Sequence, residues 1–382
     1  MTAPLAGVLV VALESAVSAP FATRQLADLG AEVLKVERTG EGDFARHYDS
    51  SMGGTSAFFV WANRAKQSIE LDLKDPADKT VFDELVAGAD VFIQNLSPAA
   101  AGRLGVRADQ LREDRPELIA CDISGYGIGG PRTDDKAYDL AIQAEGGAIA
   151  LTGTPEQPCK VGFSIADIAS GMYAFSSILA ALYRRELTGE GASIEVSMLE
   201  SLAEWTAAPT YNSIGNGRSV ARSGHRHSMI APYGMYELDD GSTVLIGVQA
   251  NREFVAFAEG VLLDPALCSD PRFVENADRV ANIEALEEII RATFASTPAT
   301  EILSRLAEHR VTHSRVRDPL SLWDHEQLRA RDRFMTLTTP TGSTETYKPP
   351  FNISGLPLPD ATVPALGADT AGLVDRLRDR GS

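Results

Sequence analysis

The strongest constraint on the fold is a regular alternation of short apolar runs and helical patterns over the first 125 residues. Strand-like runs cover residues 7–13, 31–37, 89–95 and 117–124, while helical patterns cover residues 20–29 and begin again at Pro76. Pro20 near a helix start and Gly30 after its end are typical helix boundaries. Alternation of this kind predicts an α/β, Rossmann-like domain with a mostly parallel sheet and helices on both faces.

The second half of the chain predicts a smaller domain with both helices and strands. A long helix over 167–187 and a strand from Ala192 precede a Gly-, Ser- and Arg-rich stretch. Alternating strands around Asp239, Asp240 and Gly241 predict a hairpin. Further helical patterns cover about 251–260, 281–295, 299–309 and the final segment ADTAGLVDRLRDR. The predicted division is a large domain over 1–212 and 325–382, a small α+β domain over 225–320, and linkers at 213–224 and about 320–330.

Charge and cysteine content exclude several classes of function. The chain has 35 basic and 53 acidic residues and a formal net charge of −18, so nucleic acid and anionic membranes are poor partners. An anionic ligand would need a local basic pocket. Its three cysteines, Cys121, Cys159 and Cys268, have no CxxC spacing and indicate neither a disulfide framework nor a thiolate metal site. Together with the lack of a basic leader region, this favours a cytoplasmic protein.

Two short motifs have alternative interpretations. Gly125, Gly127 and Gly130 match GxGxxG, but Pro131 and charged residues follow them, so a turn lining another site is favoured over a dinucleotide site. His225 and His227 form an HxH pair without a visible third ligand, and a substrate-contacting or solvated loop is favoured over a metal site. No GxSxG elbow supports a hydrolase triad.

Asp167 begins the long predicted helix after the apolar segment VGFSIA. It could be an ordinary N-terminal cap, a position that aspartate often fills. It could equally be a nucleophilic carboxylate whose charge the helix N-terminus stabilises. The pattern alone leaves both possibilities open.

Several motifs, in order along nearly the whole chain, resemble the class III coenzyme A transferases, a superfamily that includes formyl-CoA and carnitine CoA transferases and methylacyl-CoA racemases. The most specific are LADLGAEVLKVE, NRAKQSIELDLK, ADVFIQNLSPAAAGRLG, SGYGIGGP with KAYD, and ADIASGMYA followed by LTGEGASIEVSMLES. The resemblance implies a homodimer of interlocked chains and an activity that transfers coenzyme A (CoA) between carboxylic acids. CoA and acyl-CoA would be substrates, with no permanently bound cofactor and no metal.

The resemblance also implies roles for individual residues. Asp167 occupies the position of the family's catalytic aspartate. The implied CoA contacts are Val17, Ser18, Ala19, Arg38, Leu71, Lys74, Asn95, Leu96, Arg103 and Lys136. Arginine and lysine suit the diphosphate and ribose phosphate of CoA. Two departures are Ser18, where some members have Gln, and the absence of the family's glycine-rich loop near 247–252.

The implied substrate contacts are Tyr138, Asp139, His225, Arg226 and His227. Racemases of the superfamily have a histidine at the position of Tyr138, and an unperturbed tyrosine is a weak base at neutral pH, so an acyl-CoA racemase or isomerase is the alternative function. Arg226 could bind the second carboxylate of a short dicarboxylic acid. The segment around Arg226 resembles that of members acting on mesaconate or itaconate, which suggests a dicarboxylic acceptor with succinyl-CoA as a plausible donor.

Overall fold

The computed structural model describes residues 2–373, so residues 374–380 of the predicted C-terminal helix lie outside the described residues. The strands are β1 (Leu9–Leu13), β2 (Glu32–Glu37), β3 (Gln67–Glu70), β4 (Val91–Gln94), β5 (Ile119–Ser124), β6 (Ala192–Ser197), β7 (Tyr233–Glu237), β8 (Thr243–Gly247), β9 (Thr312–Arg315), β10 (Phe334–Thr339), β11 (Gly342–Tyr347) and β12 (Ala361–Thr362).

The α-helices are α1 (Ser18–Asp28), α2 (Ala57–Asn63), α3 (Pro76–Ala87), α4 (Pro98–Leu104), α5 (Ala108–Arg112), α6 (Asp139–Glu145), α7 (Ala148–Leu151), α8 (Ile165–Thr188), α9 (Met198–Trp205), α10 (Ala207–Asn216), α11 (Asn251–Ala256), α12 (Asn276–Ala281), α13 (Ile283–Ser296), α14 (Ala299–Glu308), α15 (Pro319–Trp323) and α16 (Glu326–Ala330). Short 3₁₀ turns lie at Phe44–His47 and Pro265–Cys268, and a π-turn at Phe257–Val261 extends α11.

The chain forms two compact units. The first comprises the described residues up to Ala148, Val161–Ala208 and the described residues from Leu328, and the second comprises Ile149–Lys160 and Pro209–Gln327. Both predicted linkers are partly helical: residues 213–216 complete α10, and the connector at about 320–330 contains most of α15 and all of α16.

The first unit contains a six-stranded parallel sheet in the order β3-β2-β1-β4-β5-β6, which confirms the predicted α/β architecture. The central strands β1, β4 and β5 are buried on both faces because their consecutive residues enter opposite cores. Val10 and Ala12 of β1 pack in the core formed with α1 and α8, while Val11 packs in the core formed with α3. The mostly apolar runs that predicted β1, β4 and β5 follow from this burial.

Two parts of the first unit were not predicted. Strand β3 pairs in parallel with β2, and β11, β10 and β12 form a separate three-stranded sheet from the polar region after Trp323. This small sheet packs on α2 through Phe59, Val60 and Leu337.

The second unit contains the antiparallel sheet β7-β8-β9 and a core with α11, α13 and α14. The predicted hairpin is confirmed, because β7 pairs with β8 across the turn at Asp239–Gly241. Gly241 has a φ of 77° there, a conformation that glycine adopts without strain.

Within the described residues 2–373, α8 is the one helix that is long and apolar enough to cross a membrane. Buried core helices also meet this criterion. The helix ends at Gly189, which has a φ of 77° as the predicted C-terminal cap requires.

Candidate active site

A cleft of about 610 Å³ lies at the carboxyl ends of β1, β2, β3 and β4 in the first unit. Ligands of doubly wound sheets bind at this edge, near the point where the strand order reverses, which here lies between β1 and β4. Arg38, Leu71 and Leu96 of the predicted CoA contacts line the cleft. Leu71 is buried in its apolar floor.

The predicted phosphate-binding cations are accessible. Lys74, Arg103 and Lys136 are exposed, and Arg38 donates to Glu41 Oε2 at 3.0 Å with both side chains largely in solvent. Exposed ion pairs of this kind contribute little to stability, so an arriving phosphate could replace Glu41 at small cost.

The predicted contacts at the β1–α1 turn are buried. Val17, Ser18 and Ala19 are each at most 3% exposed, so backbone and side chain alike are almost inaccessible in the single chain. The preceding Ala16 has a φ of 62°, which is unfavourable for an alanine, and its N–H donates to Asp43 Oδ1 at 3.1 Å. The turn is therefore held in one conformation by its surroundings.

Asn95 fixes the same turn from β4. Its Oδ1 accepts from the Ser15 N–H at 2.9 Å, and its Nδ2 donates to the Ser15 carbonyl at 2.8 Å and to Ser18 Oγ at 3.0 Å. These bonds use both ends of the amide, so the structure gives Asn95 a role in holding the turn.

A buried ionic network that the sequence analysis did not identify supports the cleft from below. Lys35 Nζ lies 2.9 Å from Asp43 Oδ2, and Lys66 Nζ lies 2.7 Å from Glu14 Oε1. Burial lowers the pKa of Lys66 to about 7, although the carboxylate of Glu14 opposes this shift. Burial also disfavours the charged form of Lys35, but attraction to Asp43 and Glu14 gives it a net raised pKa. One sequence signal marks these lysines: Lys35 lies in the motif LADLGAEVLKVE and Lys66 in the motif NRAKQSIELDLK.

Asp167 is half-buried and is the third residue of α8. The N-terminal cap of this helix is Ser164, so the interpretation of Asp167 as the cap is wrong. Burial, followed by the negative charge of Asp139, raises the pKa of Asp167 to about 7. Its carboxyl group is therefore poised between its two protonation states at neutral pH.

Gly171 brings the first turns of α8 close to the β1–α1 turn. A Cβ atom at Gly171 would lie 2.6 Å from the Ser18 carbonyl oxygen, a distance that is too short for two such atoms. Since Gly171 follows Asp167 by one helical turn, both residues lie on the same side of α8. The glycine thus allows Asp167 to lie near the cleft-lining turn.

The glycine motif after β5 makes room for the segment that carries Tyr138 and Asp139. A Cβ atom at Gly125 would lie 2.0 Å from Ala137 Cβ, so only glycine permits this packing. Turns rather than a helix follow the motif, in agreement with the argument against a dinucleotide site. Tyr138 is exposed and Asp139 is half-buried.

Tyr48, which the sequence analysis did not identify, is electrostatically coupled to Asp167. Burial, followed by the negative charges of Asp43 and Asp167, raises the pKa of Tyr48 to about 12. Its ring contacts those of Phe44 and Phe58 at centroid distances of 5.7 and 5.6 Å. An aromatic surface therefore lies in the vicinity of the carboxyl group.

His225, Arg226 and His227 belong to the second unit, where they line a cavity of about 790 Å³. Arg226 donates to Glu284 Oε1 at 2.8 Å and to the buried Glu287 Oε2 at 2.7 Å. An acceptor carboxylate would have to displace one of these internal partners. The Nδ1 atoms of His225 and His227 accept backbone N–H bonds, each at 3.1 Å.

Comparison with known proteins identifies the family that this chain resembles in sequence. A family model described as CoA-transferase family III matches residues 5–370. An acetyl-CoA:oxalate CoA-transferase of Acetobacter aceti is 38% identical over 78% of this chain and 77% of its own length. A succinyl-CoA:mesaconate CoA-transferase of Haloarcula hispanica is 31% identical over 95% of this chain and 93% of its own length.

Solved structures agree with the sequence comparison. The crystal structure of a CAIB/BAIF family protein from Brucella suis matches with a TM-score of 0.86 and 31% identity, over 99% of this chain and 100% of that protein. The family match, the mesaconate transferase and the shared fold each cover nearly the whole chain, and the oxalate transferase covers 78% of it. The chain is therefore an enzyme of CoA-transferase family III.

Proposed function

We propose that this enzyme transfers CoA from an acyl-CoA donor, such as succinyl-CoA, to a short dicarboxylic acid, with Asp167 as the covalent nucleophile. The observation that carries the proposal is the half-buried carboxyl group of Asp167 at the start of α8, with its pKa raised to about 7. The names of the oxalate and mesaconate transferases support a dicarboxylic acceptor.

The proposed reaction has four balanced steps. A carboxylate oxygen of Asp167 attacks the donor thioester, forming a mixed anhydride and releasing the CoA thiolate. The thiolate attacks the aspartyl carbonyl, giving an aspartyl-CoA thioester and the free donor acid. The acceptor carboxylate then attacks this thioester to form a second anhydride, and the released thiolate attacks the acceptor acyl carbon, which restores the Asp167 carboxylate.

The surroundings of Asp167 suit this chemistry. A carboxylate whose pKa is about 7 is a better nucleophile than one with the ordinary value, and a substantial fraction is still ionised at neutral pH. The N-terminus of the long helix α8 favours the anionic form and so opposes the effects of burial and of Asp139, which together still raise the pKa. Partial burial limits the access of water, which would hydrolyse both the anhydride and the thioester.

The cleft at the carboxyl edge is the proposed CoA site. Its leucine-lined floor suits the apolar parts of CoA, and Arg38, with the exposed Lys74 and Arg103, would provide charge for the phosphates. Binding energy from this distant nucleotide portion would hold the thiolate close to the anhydride between steps. The contacts of Val17, Ser18, Ala19 and Lys136 remain predictions.

We also propose that the enzyme is a homodimer of interlocked chains. Large apolar side chains support this, since Tyr183, Leu187, Tyr211 and Ile214 are each at least 67% exposed, and no residue of α10 is buried in the single chain. Sedimentation at micromolar concentration should show a dimer that does not dissociate on dilution. A folded monomer would contradict the proposal. A cytoplasmic location remains a prediction.

The function is tested by measuring CoA exchange between labelled acids. Wild-type enzyme incubated with succinyl-CoA and hydroxylamine should carry a hydroxamate on the peptide that contains Asp167, and Asp167→Ala should lose both label and exchange while still binding CoA. A matched variant is Asp134→Ala, because Asp134 is an exposed aspartate in a turn of the same unit. Near-normal exchange in Asp167→Ala would refute the mechanism.

The same preparation distinguishes the alternative function. A racemase would exchange the α-proton of a 2-methylacyl-CoA with deuterium from solvent without moving CoA between acids. A panel of monocarboxylic and dicarboxylic acceptors then tests the substrate class, and a preference for monocarboxylic acids would contradict the dicarboxylate proposal.

A further inference from the structure

Helix α8 is capped by a carboxylate from a neighbouring helix. Oδ1 of Asp139, the first residue of α6, accepts a hydrogen bond from the Ala166 N–H at 2.8 Å. The helix's own N-terminal residue, Ser164, makes no side-chain capping bond. Because Ala166 immediately precedes Asp167, the orientation of Asp139 directly affects the backbone that carries the nucleophile.

Gln143 holds Asp139 in this orientation. Gln143 lies one helical turn after Asp139 on α6 and is completely buried. Its Nε2 donates to Asp139 Oδ2 at 2.7 Å and to the Phe163 carbonyl at 3.4 Å. Its Oε1 accepts from the Val161 N–H at 2.8 Å. A single side chain thus joins the capping carboxylate to the segment that leads into α8.

The partners of Gln143 determine which way its amide faces. The Asp139 carboxylate needs a donor and the Val161 N–H needs an acceptor. The reversed amide would place its oxygen against two acceptors, Asp139 Oδ2 and the Phe163 carbonyl, and its NH2 group against the Val161 N–H. A buried amide with this donor and acceptor pattern has one satisfactory arrangement, and losing it would leave buried polar groups unpaired. The segment before Asp167 is therefore set by side-chain hydrogen bonds as well as by apolar packing.

We propose that Gln143 is a positioning residue for Asp167. By fixing both Asp139 and residues 161–163, it keeps the first turn of α8, and with it the Asp167 carboxyl group, aimed at the acyl carbon of the thioester. Gln143 is buried and would not touch substrate. This inference rests on the proposed function of Asp167.

A matched pair of variants separates positioning from stability. Gln94 makes the corresponding bonds elsewhere in the same unit: its Nε2 donates to Asp122 Oδ1 at 2.9 Å and its Oε1 accepts from the Leu96 N–H at 2.6 Å, while Asp122 Oδ2 accepts from the Ala108 N–H at 2.9 Å. Gln94 is 2% exposed. Gln143→Leu and Gln94→Leu should therefore lower the melting temperature similarly.

Their kinetics should differ. Gln143→Leu should reduce kcat for CoA exchange by about 10- to 100-fold, the effect of a misplacement near 1 Å, with the KM for acyl-CoA changed by less than about twofold. Gln94→Leu should instead raise the KM for acyl-CoA, because it removes the hydrogen bond that holds the backbone of the cleft-lining Leu96. It should retain most of kcat. Equal losses of kcat in the two variants, or wild-type kcat in Gln143→Leu, would overturn the proposal.

An exchange of the two groups provides a rescue experiment. In Asp139→Asn the side chain at position 139 has only one oxygen, so it cannot accept from both the Ala166 N–H and the Gln143 amide as Asp139 does. Adding Gln143→Glu provides an acceptor for the new amide donor and keeps one for the Val161 N–H, while the Phe163 carbonyl loses only its long bond of 3.4 Å. The double variant should recover at least about tenfold in kcat over Asp139→Asn alone, and no recovery would also overturn the proposal. If wild-type enzyme neither exchanges CoA nor labels Asp167, the proposed function itself fails.

Discussion

Replacing Asp167 by asparagine should stabilise the folded enzyme at neutral and alkaline pH. Burial and the charge of Asp139 raise the pKa of this carboxyl group from 3.8 to about 7 in the folded chain. A difference of about 3 pKa units, at 1.36 kcal/mol each, corresponds to about 4 kcal/mol. This value is the upper limit of the decrease in the free energy of unfolding that ionisation of Asp167 can cause.

The direction of the effect follows from proton linkage. Below about pH 3.8 the carboxyl group is protonated in both the folded and the unfolded chain, and its full contribution to stability is present. Between pH 3.8 and 7 the unfolded chain ionises while the folded chain retains its proton, so the contribution is progressively lost. Asparagine does not titrate, so the advantage of Asp167→Asn should grow over this window and stay constant above pH 7.

Urea denaturation at pH 5, 7 and 8.5, at one protein concentration, measures this difference. Glu37→Gln is a control of opposite sign. Burial disfavours the Glu37 carboxylate, but hydrogen bonds from Arg46 and attraction to Lys35 outweigh this and lower its pKa from 4.5 to about 2. Glu37 therefore stabilises the fold above pH 4.5, and its removal should cost about 3 kcal/mol at pH 7. A pH-independent difference for Asp167→Asn would refute the reasoning.

Three further predictions follow from particular contacts. Gly171→Ala should lower stability by about 1–3 kcal/mol and reduce kcat, because its Cβ meets the Ser18 carbonyl, whereas Gly342→Ala in β11 has open space and should change neither. Thermal denaturation and exchange assays test this. Arg38→Ala should raise the KM for acyl-CoA about 3- to 10-fold without changing that for the acid, while Arg184→Ala, another exposed ion-paired arginine, should leave both unchanged. Arg226→Ala should lower the free energy of unfolding by about 2–3 kcal/mol, because it removes a partner of the buried Glu287. It should change the KM values for monocarboxylic and dicarboxylic acceptors equally. A KM increase for dicarboxylic acids alone would instead support the predicted contact with substrate.

The sequence predicted the elements whose residues are apolar on both faces and missed those that depend on distant partners. β1 and β4 are short apolar runs and β5 (IACDIS) is mostly apolar, whereas β11 (GSTETY) is polar and exposed and has no such signal. Asp167 could be identified from its motif, but its capping position could not be decided. Gln143 could not be identified because two of its partners, the Val161 N–H and the Phe163 carbonyl, lie on a separate segment that only folding brings close to α6.

The first unit is assembled from distant parts of the chain, and this has a consequence for biosynthesis. The Ser68 N–H donates to Asp369 Oδ2, a separation of 301 residues, and the Ala65 N–H donates to the Thr362 carbonyl. At about 5–20 residues per second, a ribosome needs about 15–60 s to supply these partners after it has made β3. The edge of the nascent sheet is uncovered throughout that interval, so we expect chaperone demand to depend on translation speed over the second half of the message.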